Sequence, residues 1–232
     1  MFVVTGVALL GAALIIQLAV KRTSRPVNAG AGIARVLFQR TRAATALRAV
    51  VVMTVGIGLL IGIYDVVWSL YMRSIGASDF VIGLSFTLFA LPLVVATPFA
   101  GWASDRWDRR WLAFASVVFT SVMAPIYPYV RSIPVIFGVG LVEGGMWAFT
   151  EPAVNSFLME AVPERRGEAQ GVVGTALSAS MAVGSLVAGS LFALGASVPF
   201  WVAGGAGLVF ALAAFPDLRA AGRRAPAPSQ PA

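Results

Sequence analysis

Seven apolar runs, most of them about twenty residues long, alternate with short charged stretches along this chain. They fall near 2–20, 50–72, 80–100, 111–130, 134–158, 169–194 and 198–216. About 20 apolar residues in a helix cross the hydrocarbon core of a bilayer, and a helix satisfies its own backbone polar groups in lipid. The pattern therefore predicts an all-α membrane protein with about seven transmembrane helices. Composition agrees: 59% of residues are hydrophobic and the mean hydropathy is +0.86, against roughly 45–50% apolar usage in soluble domains.

The first run resembles a secretory signal in its length. A signal carries its positive charges before the apolar core, whereas Lys21 and Arg22 follow it here. It reads as a spanning helix over 1–20. Residues 21–48 hold seven basic residues and no acidic one. Ile33, Val36, Leu37 and Arg40 recur there at helical spacing, so this linker is either a short interfacial helix on anionic lipid or a disordered basic connection. A bundle of six further helices is expected over 49–217. The Ala/Pro/Arg-rich residues 218–232 read as a disordered tail.

Charge sets the expected orientation. Fifteen of the 17 Lys/Arg residues lie on alternate connections or the tail; the other connections carry only Arg73 and Arg131. The Lys/Arg-rich side is cytoplasmic by the positive-inside rule. The chain is thus expected in the cell membrane with its N-terminus outside and its C-terminus in the cytoplasm. The net charge of +7 belongs with anionic lipid headgroups rather than with nucleic acid. The six-run group divides into 50–130 and 134–216, each with three spans. Three is odd, so the second trio must lie inverted relative to the first.

Several chemistries are excluded. No cysteine or histidine is present, which removes thiolate chemistry, the commonest metal ligand and the usual general base. No metal, no cofactor and no enzymatic activity are expected. No Walker-type loop offers an ATP site. A light-driven retinal protein needs a buried lysine, and the single lysine, Lys21, sits at a membrane edge. A receptor-like or otherwise non-transporting seven-helix protein remains as the alternative.

Residues 101–110 read Gly-Trp-Ala-Ser-Asp-Arg-Trp-Asp-Arg-Arg and hold five charges between two apolar runs. The pattern resembles the signature loop of the major facilitator superfamily, Gly-x-x-x-Asp-Arg/Lys-x-Gly-Arg/Lys-Arg/Lys. The family's second glycine is Asp108 here, a residue that tolerates left-handed backbone angles better than most. Residues 71–84 resemble the family's link between the first two bundle helices. Residues 159–171 resemble its link between the fourth and fifth. The resemblance covers about 50–216, and it extends to drug-efflux-type members.

That resemblance implies a facilitator-type half bundle built as a 3+3 inverted repeat, part of a secondary transporter, with an antiporter that exports small molecules as the leading form. Such proteins usually have twelve helices. This chain looks like the last helix of a first half, the central loop and the second half. Three outcomes stay open from sequence: it pairs with a separate first-half bundle, it pairs with a second copy, or it is an inert truncated product. The implied conformational-switch loop comprises Gly101, Asp105, Arg106, Arg109, Arg110 and Glu160. In it Asp105 caps or salt-bridges a neighbouring helix end, and Arg106 and Arg109 pair with Glu160 and with Glu164.

Three acidic residues lie inside apolar runs: Asp65, Glu143 and Glu151. Carboxylates within a span are costly and mark substrate or proton paths. At ~1.5 Å per residue, Asp65 lies roughly 12 Å and Glu143 roughly 15 Å from their outer helix ends, and Glu151 lies two turns further in. Asp65 shares a helix face with Trp68 and Met72, beside Tyr64; Glu143 shares one with Met146 and Trp147. Aromatic and methionine side chains around carboxylates suit apolar or cationic compounds. The candidate substrate and proton-coupling residues are therefore Asp65, Glu143, Trp68, Trp147 and Glu151, with Asp65 ranked first. Gly171, Gly174, Ser178, Ala182, Ser185 and Gly189 form a small-residue stripe expected to pack closely on another helix.

Overall fold

The computed structural model describes residues 42–163 and 165–222. The expected helix over 1–20, the linker up to 41, Glu164 and the tail from 223 lie outside the described residues. Six helices long and apolar enough to cross a membrane are present among the described residues. The α-helices are α1 (Arg42–Ser74), α2 (Asp79–Arg106), α3 (Arg109–Met123), α4 (Ile133–Ala161), α5 (Arg166–Leu194) and α6 (Val198–Ala221), and α3 reaches membrane length together with the turn after it, over Arg109–Tyr129. A 3₁₀ segment, Ala124–Tyr129, follows α3. Its Pro125 and Pro128 lack the N–H that an α-helix would require.

Local sequence sets the ends. Helix α1 closes in a Schellman motif: Ala77 N–H donates to Met72 O and Gly76 N–H to Arg73 O, each at 3.0 Å. Gly76 takes φ +88°, a value that favours glycine. Ser78 then caps α2, its hydroxyl accepting from Val81 N, with Asp79 in the first turn where the helix dipole favours an anion.

Two boundaries differ from expectation. The linker was expected to reach residue 48, yet α1 begins at Arg42. Ala43, Ala44, Ala46 and Leu47 are strong helix formers, and the last three are buried in the core. Arg48 thereby lies within the helix and pairs with Asp217 of α6 at 3.2 Å. At the other end α6 continues past 217 to Ala221.

The packing is symmetric under an exchange of helix trios. Helix α1 packs mainly on α5 and α6, while α4 packs mainly on α2 and α3. Replacing each helix by its counterpart three places on maps one set of contacts onto the other. The inverted 3+3 arrangement is thus visible in the contacts themselves. Besides a small cluster of Ile57, Val117 and Ala211, two larger clusters form the core, one around Leu47, Met53, Leu158 and Leu218 at the charged-loop end. The other lies around Tyr71, Tyr127, Ile136 and Phe200 at the far end.

Glycine permits the closest approaches. A side chain at Gly62 would meet Met181 O of α5 at 2.1 Å, and one at Gly184 would meet Leu59 O of α1 at 2.6 Å. The counterpart contact is Gly144 of α4 against Phe89 O of α2. The expected small-residue stripe of α5 is therefore corrected. Gly171, Gly174 and Gly189 face open space, and the buried line is Ala169, Val173, Ser180, Gly184 and Ala188. Of the expected set, Ser185 does reach α1, donating to Gly62 O at 3.1 Å.

Candidate functional site

A cavity of about 220 Å³ opens between the helices in the far half of the bundle. Helix α1 presents Tyr64, Asp65 and Trp68 to it, α2 presents Phe86 and Phe89, and α4 presents Glu143 and Trp147. Thr120 of α3 and Tyr127 of the 3₁₀ segment complete its polar lining with Ser85. Four of the five expected coupling residues thus share one cavity. Glu151 does not line it; that side chain is exposed on α4, about two turns nearer the charged loop. Met72 is fully buried in the core and Met146 is absent from the lining, so aromatic rings rather than thioethers form the walls.

Glu143 is 2% exposed. The Tyr127 hydroxyl donates to its Oε2 at 2.5 Å. Tyr127 is itself fixed: its ring meets Trp68 edge-on at 5.0 Å and Tyr64 at 6.2 Å. The Tyr71 hydroxyl lies 2.6 Å from both Tyr127 O and Val130 O. Trp68 Nε1 donates to Ser85 Oγ at 2.8 Å, joining α1 to α2 in the cavity wall. Among the described residues no lysine or arginine lines the cavity. An ionised carboxyl buried without a positive partner is strongly unfavourable, and the hydrogen bond that Glu143 has here comes from a neutral hydroxyl, that of Tyr127. Asp65 differs, being exposed on the chain's surface.

Tyr127, Tyr64, Ser85 and Thr120 were not anticipated as site residues. The Pro-Ile-Tyr-Pro sequence at 125–128 was the available signal for Tyr127, because two prolines in four residues re-aim the chain away from the α3 axis.

The charged loop lies at the opposite end. Only Trp107 and Asp108 separate α2 from α3. Asp108 has φ −65° and ψ 110°, so no left-handed angle is needed where glycine was expected. It serves instead as the N-cap of α3, accepting from Arg110 N at 3.1 Å. Its carboxylate also pairs with the Arg110 guanidinium. Hydrogen bonds from that guanidinium hold the Asp108 carboxyl below the usual carboxylate range, against the opposing effect of partial burial. Arg110 reaches on to Leu218 O of α6 at 3.2 Å.

Arg109 joins three helix ends. It lies 3.3 Å from Asp105 of α2 and 3.2 Å from Glu160 of α4, and its Nε donates to Ser104 O at 2.9 Å. The expected pairing of Arg106 with Glu160 is corrected. Arg106 stacks over Trp102, 4.2 Å from the ring centre, because the two lie four residues apart on one helix face while Arg109 occupies Glu160. Gly101 contacts nothing that a side chain would displace.

The family model of the Major Facilitator Superfamily matches residues 50–231. The chain belongs to the major facilitator superfamily. An uncharacterised MFS-type transporter of Methanocaldococcus jannaschii is 26% identical over 160 residues, 68% of this chain and 42% of that protein. Multidrug resistance protein 1 of Bacillus subtilis is 25% identical over 165 residues, 71% and 41% of the two chains. Quinolone resistance protein NorA of Staphylococcus aureus is 23% identical over 156 residues, 66% and 39%. The match spans about two fifths of the length of these curated relatives. Facilitator membership and six membrane-length spans among the described residues identify a multi-pass membrane bundle.

Proposed function

We propose that this chain supplies the second half of a facilitator-type antiporter that exports lipophilic, chiefly cationic compounds in exchange for protons. One observation carries the reading: Glu143 is buried in an aromatic cavity in which no lining residue can neutralise it. A proton and a cationic substrate are then competing partners for one carboxyl, which is the requirement for exchange. Asp65, Trp68 and Trp147 act in the same cavity. The multidrug and quinolone resistance proteins among the relatives support export of such compounds. A first-half bundle, on a separate chain or supplied by a second copy, closes the path. The test is transport in vesicles under an imposed pH gradient, with the chain joined to a matching first half. No gradient-driven accumulation of lipophilic cations would sink the reading.

The charged loop is proposed to bias the rocking equilibrium. Exposed ion pairs contribute about 0.2–1 kcal/mol each, so Arg109, with two of them, shifts a two-state balance several-fold without locking it. Asp105→Asn is expected to leave membrane insertion nearly intact and slow transport by a few-fold. Arg109→Ala should slow it more, and Arg106→Ala least, because Arg106 holds neither carboxylate. Equal effects from all three, measured as initial rates at matched protein levels, would assign the loop a mere anchoring role.

The cell membrane is the proposed location, with the charged loop in the cytoplasm. Single cysteines test this cleanly, since the chain has none of its own. A membrane-impermeant thiol reagent should label the exposed positions 74 and 132 in intact cells and leave 30, 107 and 222 untouched. Labelling at 107 from outside would invert the orientation.

A further inference from the structure

Four buried side-chain oxygens among the described residues have no hydrogen-bond partner: those of Tyr64, Ser104, Thr120 and Thr150. Two of the four belong to residues on different helices, Tyr64 and Thr120, that both line the cavity holding Glu143. The coincidence is specific. A hydroxyl inside a helix ordinarily bonds back to a carbonyl one turn earlier. Ser116 and Ser121, on the same helix as Thr120, do so, to Ala113 O and Val117 O. Thr120 does not. Other polar side chains of the cavity do find partners: Trp68 bonds Ser85, Ser85 bonds Ile82 O, and Tyr127 bonds Glu143. A buried hydroxyl left unpaired is unfavourable, and a site that keeps such groups discriminates strongly for ligands that satisfy them.

We propose that the Tyr64 and Thr120 hydroxyls form a hydrogen-bonding subsite that selects cationic substrates carrying an N–H group, protonated amines, over quaternary ammonium compounds of the same shape. The inference rests on the cavity being the substrate site. The division of labour follows from chemistry. Glu143 attracts either kind of cation by charge, and the rings of Phe86, Phe89 and Trp147 pack on either apolar body. A hydroxyl oxygen accepts from an ammonium N–H, whereas a quaternary nitrogen has no proton to donate. Discrimination therefore falls to the two unpaired hydroxyls.

The experiment uses the full 232-residue chain in lipid nanodiscs. Quenching of tryptophan fluorescence, to which Trp68 and Trp147 of the cavity contribute, reports binding. The probes are a naphthylalkyl tertiary amine, at a pH where it is protonated, and its N-methylated quaternary analogue. One hydrogen bond to a charged group is worth about a ten-fold difference in affinity, so the wild type should prefer the amine by about that factor. Tyr64→Phe and Thr120→Val should each reduce the ratio of the two affinities, and the double variant should bring it near one. Binding of the quaternary probe by each variant shows that its cavity is still formed. A wild type without preference, or variants that weaken both probes in proportion, would overturn the proposal and leave the hydroxyls holding only water. If neither probe binds the wild type, or Glu143→Gln leaves both affinities unaltered, the substrate cavity itself is wrong and this subsite falls with it.

Discussion

Glu143→Gln is expected to abolish transport driven by a pH gradient while leaving substrate exchange measurable. The amide keeps nearly the same volume, and its oxygen can still accept from the Tyr127 hydroxyl that now lies 2.5 Å from the carboxylate. It cannot gain or lose a proton. Accumulation against a gradient should fall to the level without one, whereas movement down the substrate's own gradient persists. Asp65→Asn should give a smaller defect. The sequence ranks Asp65 first for its place in the first bundle helix with Trp68 and Met72 on its face, but burial reverses the order: Glu143 is enclosed and Asp65 is exposed on this chain, where water relieves the cost of its charge. Vesicle assays of both variants, in a chain joined to a first half, decide between them. Loss in Asp65→Asn with full coupling in Glu143→Gln would move the coupling role to Asp65 and leave Glu143 as a structural partner of Tyr127. Full coupling in both variants would place the role outside this cavity.

The fold was largely legible because its cause is local. Twenty apolar residues between charges define a span, and an odd number of spans per trio forces inversion before any contact is known. The loop was legible in outline for the same reason, since five charges in ten residues can only sit at a membrane edge. Its pairings were not. Which arginine takes Glu160 depends on rotations of α2 and α3 about their axes, and those are set by Trp102 beneath Arg106 and by the two-residue connection at Trp107 and Asp108. Asp108 was read as tolerating the backbone angle of a glycine, when its carboxylate serves to cap α3. The cavity was half legible. Buried carboxylates announce themselves in an apolar run; hydroxyls such as those of Tyr64 and Thr120 do not, because serine, threonine and tyrosine are common in spans and usually satisfy themselves.

Gly62→Leu is expected to prevent the folded bundle from accumulating. Helices α1 and α5 meet through backbone at this point. A Cβ on Gly62 would lie 2.1 Å from Met181 O, and the neighbouring Gly184 already stands against Leu59 O. A carbonyl held in its own helix cannot turn aside as a side chain would, so the helices must separate. Overpacking of a well-fitted core typically costs about 1–3 kcal/mol. Here separation also breaks the Ser185 bond to Gly62 O and opens the interface that joins the two trios. Gly62→Ala should accumulate with a thermal midpoint lower by several degrees, read by fluorescence-detected unfolding of the solubilised chain. Gly189→Ala is the informative comparison. It lies on the small-residue stripe that sequence spacing picks out, yet a side chain there meets nothing, and alanine is the better helix former by about 0.5–1 kcal/mol. Its midpoint should be unchanged or slightly raised. If Gly189→Ala lowers the midpoint as much as Gly62→Ala does, close packing runs along the stripe face of α5 and the α1–α5 contact through Gly62 and Gly184 is wrongly assigned.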